Sequence, residues 1–230
     1  MLGPLAVFVQ QEKGGERKTF LAAQLYGWQK SHGCNSALVD ADVSFSPISL
    51  IFPTEVIKIE MRENALKASI ADVEKVAHIL LEEKRSVLVD FGANTSRVFY
   101  DYFVQLLNLP EALKQIGGRI TVVTPVSASK KSQFYFQEYT KHYGAFATVI
   151  MAKVLPEVVS DIKLVDYPEE LTIRIEAMHY HLQEAYENAS VPLARLATDK
   201  QFGLVQRMAS AAYLRRLHAE FEKVSKHLLP

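Results

Sequence analysis

The residues best suited to chemistry are clustered near the start of the sequence, in the segment Lys13-Gly14-Gly15-Glu16-Arg17-Lys18-Thr19. Adjacent glycines let a backbone pass close to a ligand, whereas a lysine followed by a threonine can contact phosphate oxygens and a divalent metal ion. The segment lies between the apolar run 5–9, which is typical of a buried strand, and residues 18–31, which have helical spacing. A glycine loop in this position surrounds phosphate with backbone N–H groups and a helix N-terminus. We therefore predict a phosphate-binding loop at residues 13–19.

Two residues depart from the general phosphate-loop pattern G-x-x-x-x-G-K-[ST]. Glu12 and Arg17 occupy its two glycine positions, although the shorter pattern K-G-G-x-x-K-T is complete. A left-handed backbone at Arg17 would cost a non-glycine residue about 1–2 kcal/mol. The Arg17 guanidinium could point outward or contact phosphate itself, and it could offset the negative charge of Glu16. Whether a bound nucleotide is hydrolysed therefore depends on Arg17. The alternative to a phosphate-binding loop is a tight turn with only a structural role.

Acidic residues lie at the ends of two further predicted strands. Asp40 and Asp42 end the apolar segment 36–42, and Asp90 lies in the segment 86–92. Open α/β sheets bind ligands beyond the carboxyl ends of their parallel strands, so these residues and the glycine loop should meet at one edge of a sheet. This convergence supports a phosphate site more strongly than any single motif does.

Apolar, β-branched runs alternate with segments of helical spacing along the chain. The predicted strands are 5–9, 36–42, 86–92, 119–126, 147–154 and 171–177, with the alternating segment 55–60 as a candidate edge strand. The predicted helices are 18–31, 71–84, 96–107, 129–143 and 203–228. This alternation indicates βαβ units. We predict the α/β class, with one doubly wound, mostly parallel sheet, helices on both faces and a single domain over residues 1–230.

Composition limits the classes of protein to which the chain can belong. Its 26 basic and 26 acidic residues cancel, which argues against a nucleic-acid footprint over the whole surface but allows a local basic face. The single cysteine, Cys34, excludes an internal disulfide and a multi-cysteine metal site, and it favours a reducing compartment. Neither a signal-peptide pattern nor a run of about 18 apolar residues is present in the sequence. We expect a cytoplasmic protein.

Three segments together resemble one known family. They are K-G-G-x-x-K-T at residues 13–19, "ALVDADVS" at 37–44 and "VLVDFGAN" at 87–94. They are similar to the deviant Walker A loop, the second acidic motif and the Walker B segment of the ParA/MinD group of P-loop ATPases. The DFGA form, followed by "GGRITVVTPV" at 117–126, looks most like the StbB- and TraL-like branch of conjugation and plasmid-stability proteins. The resemblance covers residues 5–177 and implies a P-loop NTPase fold of the ParA/MinD type.

The resemblance implies a site that binds ATP. Lys13 would be a signature lysine that reaches across a dimer to the nucleotide of the partner subunit. Lys18 would hold phosphate, and the Gly92 N–H would sense the γ-phosphate. The nucleotide-binding residues that the resemblance implies are Lys13, Gly14, Gly15, Glu16, Arg17, Lys18, Thr19 and Gly92.

The resemblance also implies a Mg²⁺ site and a hydrolytic step. Thr19 would ligate Mg²⁺, with Asp40 and Asp90 as the other metal-site residues. Asp42 would orient or activate the attacking water, so Asp42 and Lys13 are the catalytic residues that the resemblance implies. These roles suit phosphoryl transfer, which depends on positioning and charge neutralisation.

The C-terminal helix predicted at 203–228 is amphipathic and carries a row of cations. These basic residues are Arg207, Arg215, Arg216, Lys223 and Lys226. Three interpretations stay open: a solvated side of a helix that packs on the sheet, a non-specific DNA contact, and a membrane-surface helix. Glu220 and Glu222 dilute the positive charge, which argues against the membrane.

The primary functional hypothesis is an ATP-dependent dimerisation switch. Two subunits would form a homodimer over two nucleotides, engage a protein partner, a cargo adaptor or DNA, and reset by slow hydrolysis. The process would be positioning or segregation of DNA or another large cargo, as in plasmid partition or conjugation. One alternative is a catalytically degenerate scaffold that binds nucleotide weakly or without turnover because of Arg17. Another is a metabolic enzyme on the same scaffold, such as an ATP-dependent ligase.

Overall fold

A computed structural model of the protein describes residues 3–41, 47–59, 66–93, 100–156 and 164–230. One sheet is formed by β1 (Leu5–Val9), β2 (Ala37–Asp40), β3 (Val56–Lys58), β4 (Val87–Asp90), β5 (Arg119–Val126), β6 (Thr148–Val154) and β7 (Thr172–Ile175). The order across the sheet is β3-β2-β4-β1-β5-β6-β7, and every neighbouring pair is parallel. The predicted doubly wound sheet is confirmed, and among the described strands it is wholly parallel.

The strands have continuous apolar sequences because both faces of the sheet are buried. In β1, Leu5, Val7 and Val9 face one core, whereas Ala6 and Phe8 face the other. The predicted spans of β1 and β5 coincide with the observed ones. The other strands are shorter than predicted at one or both ends.

Helices cover both faces of the sheet, as predicted. They are α1 (Lys18–Ser31), α2 (Pro47–Ile51), α3 (Leu66–Leu81), α4 (Leu109–Gln115), α5 (Lys130–Tyr143), α6 (Tyr180–Ala189), α7 (Leu193–Thr198), α8 (Leu204–Lys223) and α9 (Ser225–Leu228). One core lies under α1, α2 and α6 to α9. The other lies under α3, α4, α5 and a π-helical segment, Tyr100–Leu106.

Three predicted helices differ from the observed ones by more than one residue. The helix expected at 71–84 is α3, which begins at Leu66 and ends at Leu81, shortly before Lys84 turns left-handed with φ +50°. Of the helix expected at 96–107, the described part is the π-helical segment, and residues 94–99 lie outside the described residues. The helix expected at 203–228 is divided into α8 and α9. The short helices α2, α4, α6 and α7 lie where no helix is predicted from the sequence.

The division of the C-terminal helix at Val224 allows its end to turn onto the sheet. Val224 and Leu228 are both fully buried. Side chains from other elements donate hydrogen bonds to the carbonyl groups that are left without a helical partner in the last turn. Thr121 Oγ1 donates to the His227 carbonyl at 2.7 Å, and Gln29 Nε2 donates to the Leu228 carbonyl at 2.6 Å.

Both edges of the sheet are short or covered. Strand β3, which was a candidate edge strand, occupies one edge. At the other edge, the Arg174 N–H of β7 donates to Glu220 Oε2 of α8 at 3.0 Å. The Tyr213 hydroxyl of α8 donates to the Glu176 carbonyl at 2.8 Å. Helix α8 therefore lies along the outer edge of β7.

Candidate nucleotide-binding site

The loop of residues 10–17 connects the central strand β1 to α1 and turns sharply twice. Gly15 has φ +75°, and Arg17 has φ +62° and ψ +26°. Arg17 directly precedes Lys18, and its carbonyl accepts a hydrogen bond from the Leu21 N–H at 2.9 Å. Arg17 thus adopts the left-handed conformation considered for this position, at a cost of about 1–2 kcal/mol.

The two glycines of the loop face open space. Gly14 and Gly15 are both exposed, and a Cβ atom built on either would have no protein atom within 4 Å. The positive φ of Gly15 favours glycine for conformational reasons. No packing inside the described protein requires glycine at position 14. Its small size leaves the loop backbone accessible to a ligand.

Lys18 begins α1 and lies against its own loop. The side chain is nearly buried, with 8% of the residue exposed, and its ammonium donates to the Lys13 carbonyl at 3.4 Å. The first turn of α1, which is described in full, contains no acidic residue. The Lys18 charge and the positive end of the helix dipole therefore add, and this end of α1 suits an anion.

Strands β2 and β4 end side by side in two buried carboxylates. Asp40 and Asp90 are register partners, and Asp90 is also in register with Val9, the last residue of β1. Asp40 is 2% exposed, Asp90 is fully buried, and the Ser49 hydroxyl donates to Asp40 Oδ2 at 2.9 Å. The glycine loop and two of the predicted acidic residues therefore meet at one edge of the sheet.

Three further predicted residues complete the set. Thr19 follows Lys18 in the first turn of α1 and is half-buried. Gly92 lies just beyond the end of β4 and is buried. Asp42, the predicted catalytic carboxylate, lies outside the described residues. The functional roles of these residues stay predictions.

Lys13 and Glu16 form an ion pair within the loop. Glu16 is only 4% exposed, and its carboxylate accepts two more hydrogen bonds, from Ser127 Oγ at 3.0 Å and from Ser132 Oγ at 3.3 Å. No local sequence pattern predicts this arrangement, because Ser127 is separated from Glu16 by 111 positions. The resemblance implies that Lys13 reaches to a partner subunit, but in this structure its ammonium is directed to a carboxylate of its own loop.

Gln11 attaches the loop to the same part of the chain. Its side-chain amide donates to the Pro125 carbonyl at 2.9 Å and to Ser132 Oγ at 3.1 Å. The Ser127 N–H in turn donates to Ser132 Oγ at 3.1 Å. Gln11 and Ser132 are both inaccessible to solvent. These buried bonds hold the loop and the start of α5 together as one unit.

No protein-family model and no curated protein sequence matches the chain, but solved structures do. The septum site-determining protein MinD of Pyrococcus horikoshii, in complex with Mg-ADP, has a TM-score of 0.60 at 14% identity, covering 98% of each chain. A ParA family ATPase from Chlorobium tepidum has a TM-score of 0.56 at 12% identity, covering 94% of this chain and 99% of that chain. The chain has the MinD/ParA fold. A MinC:MinD cell division complex of Aquifex aeolicus gives a TM-score of 0.52 at 15% identity, covering 94% of this chain and 96% of that chain.

The positive charge of Arg17 lies close enough to Tyr213 of α8 to affect that residue. Burial raises the pKa of Tyr213 in α8 to about 12, and the nearby positive charge of Arg17 acts in the opposite direction. Arg17 Nη1 is buried, and no hydrogen-bond acceptor for it lies within the described residues. The guanidinium therefore has an unused donor close to the loop.

A cavity of about 380 Å³ lies between α8 and β7 of the MinD/ParA fold. Glu176 follows the last residue of β7, so the cavity reaches the carboxyl edge of the sheet where the loop also lies. Tyr213, which is near Arg17, forms part of its wall. The polar and charged residues that line it are Arg174, Glu176, Tyr213, Arg216 and Glu220.

The predicted cations of the C-terminal region differ in their surroundings. Arg216 Nε is 2.7 Å from Glu176 Oε2, and Lys223 forms an ion pair with Glu220. Arg207 is half-buried, whereas Arg215 and Lys226 are exposed. Neighbouring carboxylates therefore offset part of the positive charge along this helix.

The oxygen-rich edge of the sheet fits Mg²⁺ as part of a nucleotide complex. Asp40 and Asp90 supply carboxylate oxygens and Thr19 a hydroxyl, which are the ligand types that Mg²⁺ prefers. Within the described ranges, no three His, Cys, Asp or Glu residues are grouped closely enough to hold a metal ion alone. Mg²⁺ usually completes its shell with waters and phosphates, so such a group is not required.

No described helix is long and apolar enough to cross a membrane.

Proposed function

We propose that the chain is an ATP-dependent switch whose site is formed by the loop of residues 13–19 and the ends of β2 and β4. One observation carries the proposal: Arg17, directly before Lys18, has a left-handed backbone conformation. This conformation is unfavourable for nearly every residue except glycine. Strained backbone persists where the surrounding structure requires it, and such residues cluster at ligand sites. A phosphate-binding loop requires a defined path to direct its N–H groups at the ligand, and the left-handed backbone at Arg17 supports such a path here.

In this proposal the phosphates of ATP lie against the loop and the start of α1. Gly14 and Gly15 allow close approach, and Lys18 neutralises charge on the β- and γ-phosphates. Arg17 contributes its unused donor, because a guanidinium binds phosphate through strong charge-assisted hydrogen bonds. The Gly92 N–H would contact the γ-phosphate.

The same proposal assigns the metal and the hydrolytic step. Mg²⁺, when bound, neutralises charge on the phosphate oxygens. Thr19 would hold it through its hydroxyl, with Asp40 and Asp90 fixing its bound waters. Asp42 would orient the water that attacks the γ-phosphate. Lys13 would bring a further positive charge from the partner subunit.

The output of the switch is proposed to be association. ATP would bring two copies together, and the dimer would engage a protein partner or cargo adaptor, or DNA through the exposed cations Arg215 and Lys226. The solved MinC:MinD complex supports a protein partner for a chain of this fold. The resemblance of the DFGA segment to plasmid-stability and conjugation proteins supports a DNA-containing cargo. The reducing compartment favoured by Cys34 is consistent with a cytoplasmic site of action.

Two observations favour a second candidate, a scaffold that binds nucleotide without turnover. Glu16 brings a buried negative charge into a loop that would receive a polyphosphate. The same carboxylate pairs with Lys13, so the lysine is engaged before any nucleotide arrives. Such a chain would hold its partner through a fixed surface and would change little with ATP.

Titration calorimetry with Mg-ATP, an assay of phosphate release, and light scattering of the same sample test these proposals. The switch predicts ATP binding, slow phosphate release, and a change from monomer to dimer mass with ATP but not with ADP. Binding with neither release nor a change in mass would favour the scaffold. The absence of any ATP binding would overturn both nucleotide-binding proposals.

A further inference from the structure

The Glu16 carboxylate is bound from two directions. On one side it pairs with the Lys13 ammonium, and on the other it accepts hydrogen bonds from the hydroxyl groups of Ser127 and Ser132. Glu16 is 4% exposed, while 35% of the Lys13 side chain is accessible. The carboxylate is therefore the fixed member of the ion pair, and the lysine is the member that can leave.

The energetics of this arrangement allow a reversible contact. Removing the partner of a buried charge is costly when the remaining charge has nothing to replace it. Here the two serine hydroxyls stay with Glu16 when Lys13 departs, and the partly accessible ammonium can regain water or another anion. The contact can thus open without leaving a bare carboxylate in the interior.

We propose that Glu16 is a positioning residue that holds Lys13 within its own subunit, and that the phosphates of a nucleotide compete with Glu16 for the Lys13 ammonium. This inference rests on the proposed function, because it assigns a regulatory contact to the same site. In the free protein, Glu16 satisfies Lys13 internally. When nucleotide binds, Lys13 exchanges a carboxylate for phosphate oxygens and becomes available for the closed dimer.

The position of Ser127 and Ser132 connects the Glu16–Lys13 ion pair to the start of α5. Ser127 follows β5, and Ser132 lies in the first turn of α5. Because Gln11 and Ser132 also bond to each other, a displacement of the start of α5 moves Glu16 and the loop together. A partner that shifts α5 would therefore change how firmly Lys13 is held.

The test is a double-mutant cycle of Glu16→Gln and Lys13→Met, with Mg-ATP as the calorimetric probe at constant salt. Glu16→Gln should tighten Mg-ATP binding by at least about fivefold, the lower end of ordinary coupling between sites. In the Lys13→Met background the same change should have little effect, because the lysine through which Glu16 acts is gone. Ser127→Ala leaves every charge in place but removes a hydroxyl that stays with Glu16 when Lys13 departs, so it should weaken Mg-ATP binding.

Glu12→Gln is the matched control, because it removes an equal charge from the loop region. Burial raises the pKa of Tyr143, and the nearby charge of Glu12 acts in the same direction. Glu12→Gln should change affinity less than Glu16→Gln. Equal gains from the two variants, or an undiminished Glu16→Gln gain without Lys13, would overturn the positioning role.

Amine labelling of the nucleotide-free protein separates this inference from the proposed function. Lys13 should react several-fold faster in Glu16→Gln than in the unmodified chain, whereas Lys114 on the exposed side of α4 should be unchanged. Equal Lys13 labelling in both proteins would overturn the inference even if ATP binds. Increased labelling together with no ATP binding would leave the Glu16–Lys13 contact in place and reject the nucleotide role.

Discussion

Asp40 and Asp90 are register partners at the carboxyl ends of β2 and β4, and both are almost entirely buried. Two carboxylates brought together beside a glycine loop form a site of high negative charge, which a divalent cation would neutralise. This pair is therefore the part of the site whose contribution should depend on the metal.

Asp90→Asn should weaken the Mg²⁺-dependent part of ATP binding. Residues that orient a metal shell contribute about 10- to 100-fold to metal affinity, so we expect at least about a tenfold loss with Mg²⁺. Binding in EDTA should change little. Calorimetry with and without Mg²⁺ measures both quantities, and Asp101→Asn on the exposed π-helical segment is the control. A loss of the same size in EDTA would assign Asp90 to the fold instead of the metal.

Lys18→Ala should abolish ATP binding measured by calorimetry. The nearly buried ammonium lies against the loop at the start of α1, where it adds to the positive end of the helix dipole. Lys114→Ala removes an equal charge from α4 and should leave affinity unchanged. Unchanged affinity in Lys18→Ala would reject the phosphate-loop assignment.

Arg17→Gly should be more stable than Arg17→Ala by about 1 kcal/mol in urea unfolding. Both variants lose the guanidinium, but only alanine retains the left-handed penalty, which outweighs the extra chain entropy of glycine. The comparison isolates the backbone because the side-chain contacts are lost in both. Equal stabilities would mean that the loop relaxes when Arg17 is shortened.

The same pair of variants tests the role of Arg17 in turnover. If the long side chain obstructs hydrolysis, Arg17→Gly should release phosphate faster than the unmodified chain. If its unused donor contacts phosphate, both variants should bind ATP more weakly.

Stability should decrease on mild acidification through His218. Burial lowers the pKa of His218, the nearby His32 acts in the same direction, and Glu222 opposes them. The unfolded chain, in which the histidine pKa is about 6.5, then binds more protons than the folded chain between the two pKa values. The contribution of His218 to the free energy of unfolding is therefore fully present above about pH 6.5. It decreases as the pH is lowered below that value.

Urea unfolding at neutral and at mildly acidic pH measures this effect. His218→Gln should lose less stability than the unmodified chain between the two conditions. His181→Gln changes an exposed histidine of α6 and should behave like the unmodified chain. Equal losses in all three proteins would place the pH dependence elsewhere, for example at His227, whose pKa burial also lowers.

DNA binding through the C-terminal helices should depend on Arg215 more than on Arg216. Arg215 is exposed, whereas Glu176 already compensates the charge of Arg216. Each phosphate contact contributes about 0.9 to the slope of the logarithm of the binding constant against the logarithm of the salt concentration. Arg215→Ala should reduce the slope by about that amount, and Arg216→Ala should reduce it less. Failure to bind duplex DNA even at low salt would reject this surface as a DNA interface.

The sequence predicts the centre of this molecule better than its periphery. Strands β1 and β5 have apolar runs whose ends are marked by proline, glycine or polar residues, so their bounds follow from local pattern. The loop and Asp40 and Asp90 follow from strand ends for the same reason. Helices α6 and α7 are short, and their existence depends on packing against α1 and α8, which no local pattern encodes.

The contacts of Glu16 illustrate what local pattern cannot supply. The chemistry of Glu16 is visible in the sequence, but its burial depends on two serines that follow β5, 111 and 116 positions away. Only the order of strands, which places β5 beside β1, brings them together. Likewise, the end of the last helix, beyond its division at Val224, is bonded to donors on α1 and β5 that are distant in sequence.

Helix α8 also limits how this protein can assemble. An exposed strand edge is a template on which another chain can add a strand. The Arg174 N–H on the outer edge of β7 is already occupied by Glu220, and the opposite edge strand, β3, has only 3 residues. Strand addition between copies of this chain is therefore disfavoured at both edges of the sheet. Reversible assembly through helices and loops, unlike strand addition, can be undone without breaking a ladder of backbone hydrogen bonds.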